Sequence, residues 1–262
     1  DVVLTTDPGV TRRATYTFTV LNGYTLSQRR RTFAADTPLP YRSLWESNMV
    51  FYGLSNCQKS TGTWEGFAWY YDGIRVYYNI SDFTKNATFD ACARHELDIY
   101  RTYVLANNGG IPRYRFFAEG LMMDYQRSGE DLSRQAISML NGQTGANPAW
   151  YVDADLTRDL SYEIEVQLTD RRLSGYNHPM IQDRVEILIG HFDQWFISKT
   201  KLPQPFMVGL AAEALILYYE DSKDPRIPGL IQIACDNLWA SHWNGVEQGF
   251  PYYNSDGSSS IE

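Results

Sequence analysis

Polar and apolar residues alternate strictly near the start of the chain and recur at helical spacing through most of the rest. Ala14-Thr15-Tyr16-Thr17-Phe18-Thr19-Val20 has a period of two, Asn22-Gly23 supplies the positive φ angles of a type I′ turn, and residues 24–33 return as a second run. That arrangement predicts a β-hairpin over residues 14–33. Two strands are marginal in water, so the hairpin is expected to lean on other elements or to pair with a second molecule. Residues 36–63 are mixed, with a short helix or strand over 44–54. Helices are predicted at about 65–82, 87–106, 113–127, 130–141, 156–173, 180–198, 204–221 and 226–242, with Gly, Pro and Asn between them.

A faint internal repeat organises these helices. An apolar or aromatic helix end, a tight Ser/Thr turn and a second helix recur around Thr84-Lys85-Asn86, Ser128-Gly129-Glu130-Asp131, Ser174-Gly175 and Ser222-Lys223-Asp224-Pro225, at intervals of 44, 46 and 48 residues. A period of this size marks a helical hairpin that cannot bury its apolar face alone and must stack on its neighbours. The expected fold is mainly α: an α/α-hairpin array, either a toroid or an open arc, preceded by the N-terminal β-hairpin. The domain limits that follow are a hairpin extension over 1–35, the α/α-hairpin domain over 36–253, and a Ser/Gly-rich flexible tail over 254–262.

Composition narrows the partners. The 262 residues are 44% apolar, ample for one core. A formal charge of −8 and a pI near 5.1 argue against nucleic acid, which needs a concentrated basic face. Arg29-Arg30-Arg31 is the only basic cluster and reads as a solvated strand edge. The most apolar run, 207–219, contains Glu213 and falls short of the ~20 residues of a membrane span. The chain begins with Asp1 and not Met, as a start exposed by removal of a preceding segment would, and sequons at Asn79 and Asn86 are candidate glycosylation sites. Of three cysteines, Cys57 with Cys92 is the preferred disulfide because Cys235 lies in an apolar helical pattern; three buried thiols are the alternative. A secreted or cell-surface protein is expected. His95-Glu96, His191 and His242 show no metal-ligand spacing, so neither a metal nor another cofactor is expected.

The two ends of the helix stack differ. Connections at the Ser/Thr-turn end are short and polar, whereas the opposite end carries long segments bearing Trp64, Tyr114, Phe116, Phe117, Trp150, Tyr151, Phe206, Phe250, Tyr252 and Tyr253, with Trp69 and Trp243 at adjoining helix ends. Aromatic loops on a rigid scaffold suit sugar faces and other planar ligands. The alternative is that these rings cap the helical core.

Glu119-Gly120-Leu121 through Tyr125 with Ser128-Gly129-Glu130-Asp131, and Gly209-Leu210 through Tyr219 with Ser222-Lys223-Asp224-Pro225, resemble the Gly-Leu, aromatic, Thr-Gly-Asp hairpins of the α/α-toroid carbohydrate-active proteins. Those are the six-hairpin glycosidases and related polysaccharide lyases. Trp64-Glu65-Gly66 with Tyr70-Tyr71-Asp72-Gly73 is similar to the aromatic and acidic entrance of their first hairpin. The likeness spans roughly residues 64–243 with four hairpins in place of six. It implies a secreted glycoside hydrolase or polysaccharide lyase acting on an extracellular polysaccharide.

Glycoside hydrolysis needs two carboxyls, about 5.5 Å apart for retention and wider for inversion. Glu65, Glu119, Asp153 and Asp155 lie on the long-loop side. Glu119 is the first candidate for general acid because apolar residues precede it, and Asp155 for base or nucleophile, with Asp153 its neighbour or a helix cap. Trp64, Trp69, Asp72, Tyr114, Trp150, Tyr151 and Tyr252 are the candidate sugar-binding residues, and Arg113 and Arg115 are placed to receive an acidic sugar. A lyase constellation, Tyr176-Asn177-His178 with Arg184, follows a short turn and so falls at the wrong end. The rival reading is a non-catalytic structural or glycan-binding subunit of an extracellular assembly, a homo-oligomer joined through the N-terminal hairpin.

Overall fold

The structure is a computed structural model that describes residues 2–7, 10–14, 42–59, 71–145, 148–246 and 249–252, the first two segments and Pro148 by backbone alone. Two compact units divide the chain, Asp1–Ser55 and Asn56–Glu262. In the first unit β1 (Val2–Asp7) pairs antiparallel with β2 (Val10–Ala14). The hairpin predicted over 14–33 lies outside the described residues except for Ala14, and the predicted tail 254–262 lies outside them entirely. The ambiguous segment 44–54 is helical, inside α1 (Arg42–Asn56), which buries none of its residues.

The second unit is an array of four helix pairs. These are α2 (Gly73–Thr84) with α3 (Ala87–Ala106), α4 (Glu119–Ser128) with α5 (Asp131–Gly142), α6 (Thr157–Ser174) with α7 (Ile181–Phe192), and α8 (Pro205–Ser222) with α9 (Arg226–Ser241). Their turns are built alike. In all four the Ser/Thr oxygen accepts from the backbone N–H two residues on, at Asn86, Glu130, Tyr176 and Asp224. The residue between is left-handed (Lys85, Gly129, Gly175, Lys223; φ 58 to 75) and its N–H closes the last helical turn. Such Ser/Thr turns satisfy carbonyls and amides that a helix end otherwise leaves bare.

The first helices of the pairs pack in the order α2, α4, α6, α8. Ion pairs of 2.5 Å join neighbouring turn ends, Arg127 to Asp82 and Arg171 to Asp221, so α2 runs parallel to α4 and α6 to α8. Arg75 of α2 also pairs with Glu213 of α8, so the first and last pairs meet. Apolar residues of α6–α9, among them Leu160, Ile164, Leu188, Phe192, Trp195 and Leu215, form one continuous core. Phe89 and Cys92 on α3, Leu121 on α4, and Ile137 and Leu140 on α5 are each fully buried, and each large side chain removed from water contributes roughly 1.5–3 kcal/mol. A disulfide ties Cys57 to Cys92 on α3, and Cys235 is free and exposed.

Three boundaries differ from expectation, the first being the helix predicted from 65, which begins at Gly73 behind its Asp72 cap. The helix predicted from 113 begins at Glu119, because Pro112 opens a 3₁₀ turn over Arg113–Arg115. The Tyr100 hydroxyl fixes that turn, donating to the Arg115 carbonyl at 2.6 Å and accepting from Phe117 N at 2.8 Å. The helix predicted to 198 leaves α-geometry at Phe192 for a π-helical turn over Asp193–Ile197.

Candidate functional site

Aligning the four turns brings four charged residues into register. Arg75, Glu119, Glu165 and Glu213 each stand nine residues before Thr84, Ser128, Ser174 and Ser222 respectively, the same place on the first helix of each pair. Arg75 and Glu213 are ion-paired. Glu119 Oε1 accepts from Thr169 Oγ1 at 3.1 Å, one turn along α6 from Glu165. Asp72 adds a fourth carboxylate: it caps α2 by accepting from Arg75 N at 3.1 Å and reaches the first turn of α4 by accepting from Gly120 N at 2.7 Å. Gly120 permits that approach, since a Cβ there would sit 2.3 Å from Asp72 Oδ1 and 2.6 Å from Ile74 Cβ.

Glu165 is the buried member, 5% exposed, and its Oε1 has no hydrogen-bond partner. Burial, and next the charge of Glu213, push its carboxyl well above the ordinary range against the pull of Arg75, with Glu119 and Asp72 adding to the rise. Burial also raises Asp72, opposed by its two backbone donors and Arg75. Asp72, Arg75, Glu119 and Glu213 are half-buried and so reach solvent. A buried carboxyl that holds its proton more tightly than usual, beside acidic side chains open to water, is the kind of arrangement acid–base hydrolysis uses. Beneath the layer the buried rings of Tyr100, Phe117 and Tyr162 pack in series, centroids 5.6 and 5.3 Å apart. Burial, then Glu165, raises the Tyr162 phenol.

The remaining sequence candidates are dispersed. Asp153 and Asp155 both hold Lys201 Nζ at 3.0 Å, and Asp153 is pulled below the usual range by the Asp155 backbone N–H first and Lys201 second. Glu119 and Asp155 do not form a pair: about 18 Å of α6 separates Thr157, two residues after Asp155, from the Thr169 that holds Glu119. Glu65, Trp64 and Trp69 lie outside the described residues. Phe116, Phe117 and Tyr151 belong to the core and not to an open cleft, each under 5% exposed. Tyr114 is half-buried, with the guanidiniums of Arg158 and Arg115 at 4.9 and 5.4 Å from its ring centre. Trp150 is exposed, and Tyr252 stacks on Phe206 with centroids 4.8 Å apart. Asn79 and Asn86 are exposed, and Asn86 Oδ1 caps α3 by accepting from Thr88 N at 3.0 Å.

A second charged cluster, on another face of α6, centres on a fully buried glutamate. Glu163, fully buried, sits 2.6 Å from Arg113 Nε and 3.0 Å from Arg184 Nε and accepts from the Tyr151 hydroxyl at 2.7 Å. Arg184 also donates to the Thr144 carbonyl; of the two arginines the sequence offered to an acidic sugar, Arg113 is paired with Glu163 and Arg115 is buried. His191 bridges Thr157 Oγ1 and the Tyr151 carbonyl inside the core. Among the described residues no group of three or more His, Cys, Asp or Glu could hold a metal ion. Nor is any described helix long and apolar enough to cross a membrane. No protein-family model, curated protein or solved structure matches the chain.

Proposed function

We propose that the second unit is a glycoside hydrolase of an extracellular polysaccharide, with its chemistry at the layer of Asp72, Glu119, Glu165 and Glu213. The observation that carries the reading is Glu165: a buried carboxyl with a bare oxygen, its proton held more tightly because of burial and its acidic neighbours. In this reading Glu165 donates its proton to the departing glycosidic oxygen. Glu119, oriented by Thr169, acts on the anomeric side as base or nucleophile, and Glu213 is fixed by Arg75. The Cys57–Cys92 bond supports an oxidising compartment, outside the cell or at its surface.

The lyase reading loses its positive group, since Arg113 and Arg184 serve Glu163. The non-catalytic reading, an assembly subunit, keeps one observation: α1 exposes Leu44, Trp45, Phe51, Tyr52 and Leu54. The test is turnover of a polysaccharide panel by the wild-type chain and by Glu165→Gln. Loss of cleavage by at least about a hundredfold with binding retained is expected, since the amide keeps the shape and removes the donated proton. Cleavage unchanged in Glu165→Gln overturns the assignment.

A further inference from the structure

With Glu165 carrying its proton, the carboxylates Glu119 and Glu213 at the equivalent helix positions, and Asp72 beside them, face one base. Arg75 is already joined to Glu213 and lies beside Asp72. Basic side chains nearby on α6 are engaged elsewhere, Arg158 with Asp159 and Arg171 and Arg172 with Asp221. The layer therefore holds an excess of negative charge, and a half-buried acidic excess is costly until a cation meets it. Its deepest acceptor, Glu165 Oε1, is buried without a donor.

Resting on the hydrolase reading, we infer that the glycan this layer accepts is a cationic one, an oligosaccharide bearing free amino groups. One ammonium seats against Glu165 Oε1, Glu119 and Glu213. An ammonium brings three donors, no acceptor and one positive charge, and so meets both the bare oxygen and the charge excess. A hydroxyl or N-acetyl group at the same place supplies a donor and leaves the charge unbalanced. A uronate adds a like charge, and like-charge juxtaposition excludes it. Protonated Glu165 serves both tasks, because one oxygen carries the proton for the leaving group while Oε1 accepts from the ammonium.

The probes are length-matched oligosaccharides of chitosan, chitin and polygalacturonate, which differ in carrying amine, N-acetyl and carboxylate groups. Each is titrated calorimetrically into the whole chain and followed for cleavage. Chitosan oligosaccharide is expected to bind about tenfold more tightly than its N-acetylated counterpart, the scale of one hydrogen bond to a charged group. That preference should fall as salt is raised, and polygalacturonate should not bind. Glu213→Gln should erase the preference; should that variant fail to fold, the salt dependence of the wild-type preference decides alone. Equal or tighter binding of the N-acetylated or uronate probe overturns the inference, and cleavage of such a probe leaves the hydrolase reading standing. Neither binding nor cleavage of any of the three overturns both.

Discussion

Glu165 makes stability depend on pH in a defined direction. Its carboxyl holds a proton more tightly in the folded chain than in the unfolded one. The folded state is thus fully favoured by this group below the ordinary glutamate range and loses that advantage as pH rises through the elevated folded value. Glu165→Gln removes the titration. In denaturant unfolding the variant should gain on the wild type from acid to alkaline pH, each tenfold difference in proton affinity corresponding to about 1.4 kcal/mol. Parallel profiles would show that the carboxyl is not displaced. Gly120 is the second residue on which the site turns. Gly120→Ala forces a methyl into Asp72 and Ile74, and should lower stability by about 1–3 kcal/mol in thermal melts and reduce any turnover. The sequence drew attention to Glu119 and Asp72 but passed over Glu165 and Glu213. Glu165 sits in an alternating run, Tyr162 to Thr169, on a helix buried on all faces, so no polar stripe marks it. Glu213 lies inside the most apolar run of the chain. The signal that finds both is positional: counting back nine residues from each repeat turn.

At the scale of elements the sequence was most readable where a local rule acts. The Ser/Thr turns set helix ends to within a residue or two, because hydroxyl, left-handed residue and amide interact over a few positions. Where a distant group decides, the reading failed. The start of α4 depends on the Tyr100 hydroxyl, and the long aromatic segments turned inward because Phe116, Phe117 and Tyr151 meet core that the sequence does not display. The turns themselves are testable. Lys85 and Lys223 hold left-handed angles that cost a side chain about 1 kcal/mol, whereas Gly129 and Gly175 hold them freely. Lys85→Gly should therefore raise the unfolding free energy by about as much as Gly129→Ala lowers it. Equal losses from both would show that the turn geometry is not as described.

For the molecule as a whole, redox state is the accessible lever. The Cys57–Cys92 bond closes a segment of 35 residues, and opening it should cost about 2–4 kcal/mol, read as a fall in thermal midpoint on adding reductant. The contact between Arg75 and Glu213 has a consequence of another kind. It joins residues 138 positions apart, whereas repeats in an open row speak only to the next in line and can be trimmed or added one at a time. Here the last repeat completes what the first one began. On a ribosome, Arg75 and Asp72 emerge before Glu213 and wait through two further hairpins until the fourth supplies it. The acidic layer therefore exists in no shortened product, and the chain acquires its centre in one late step.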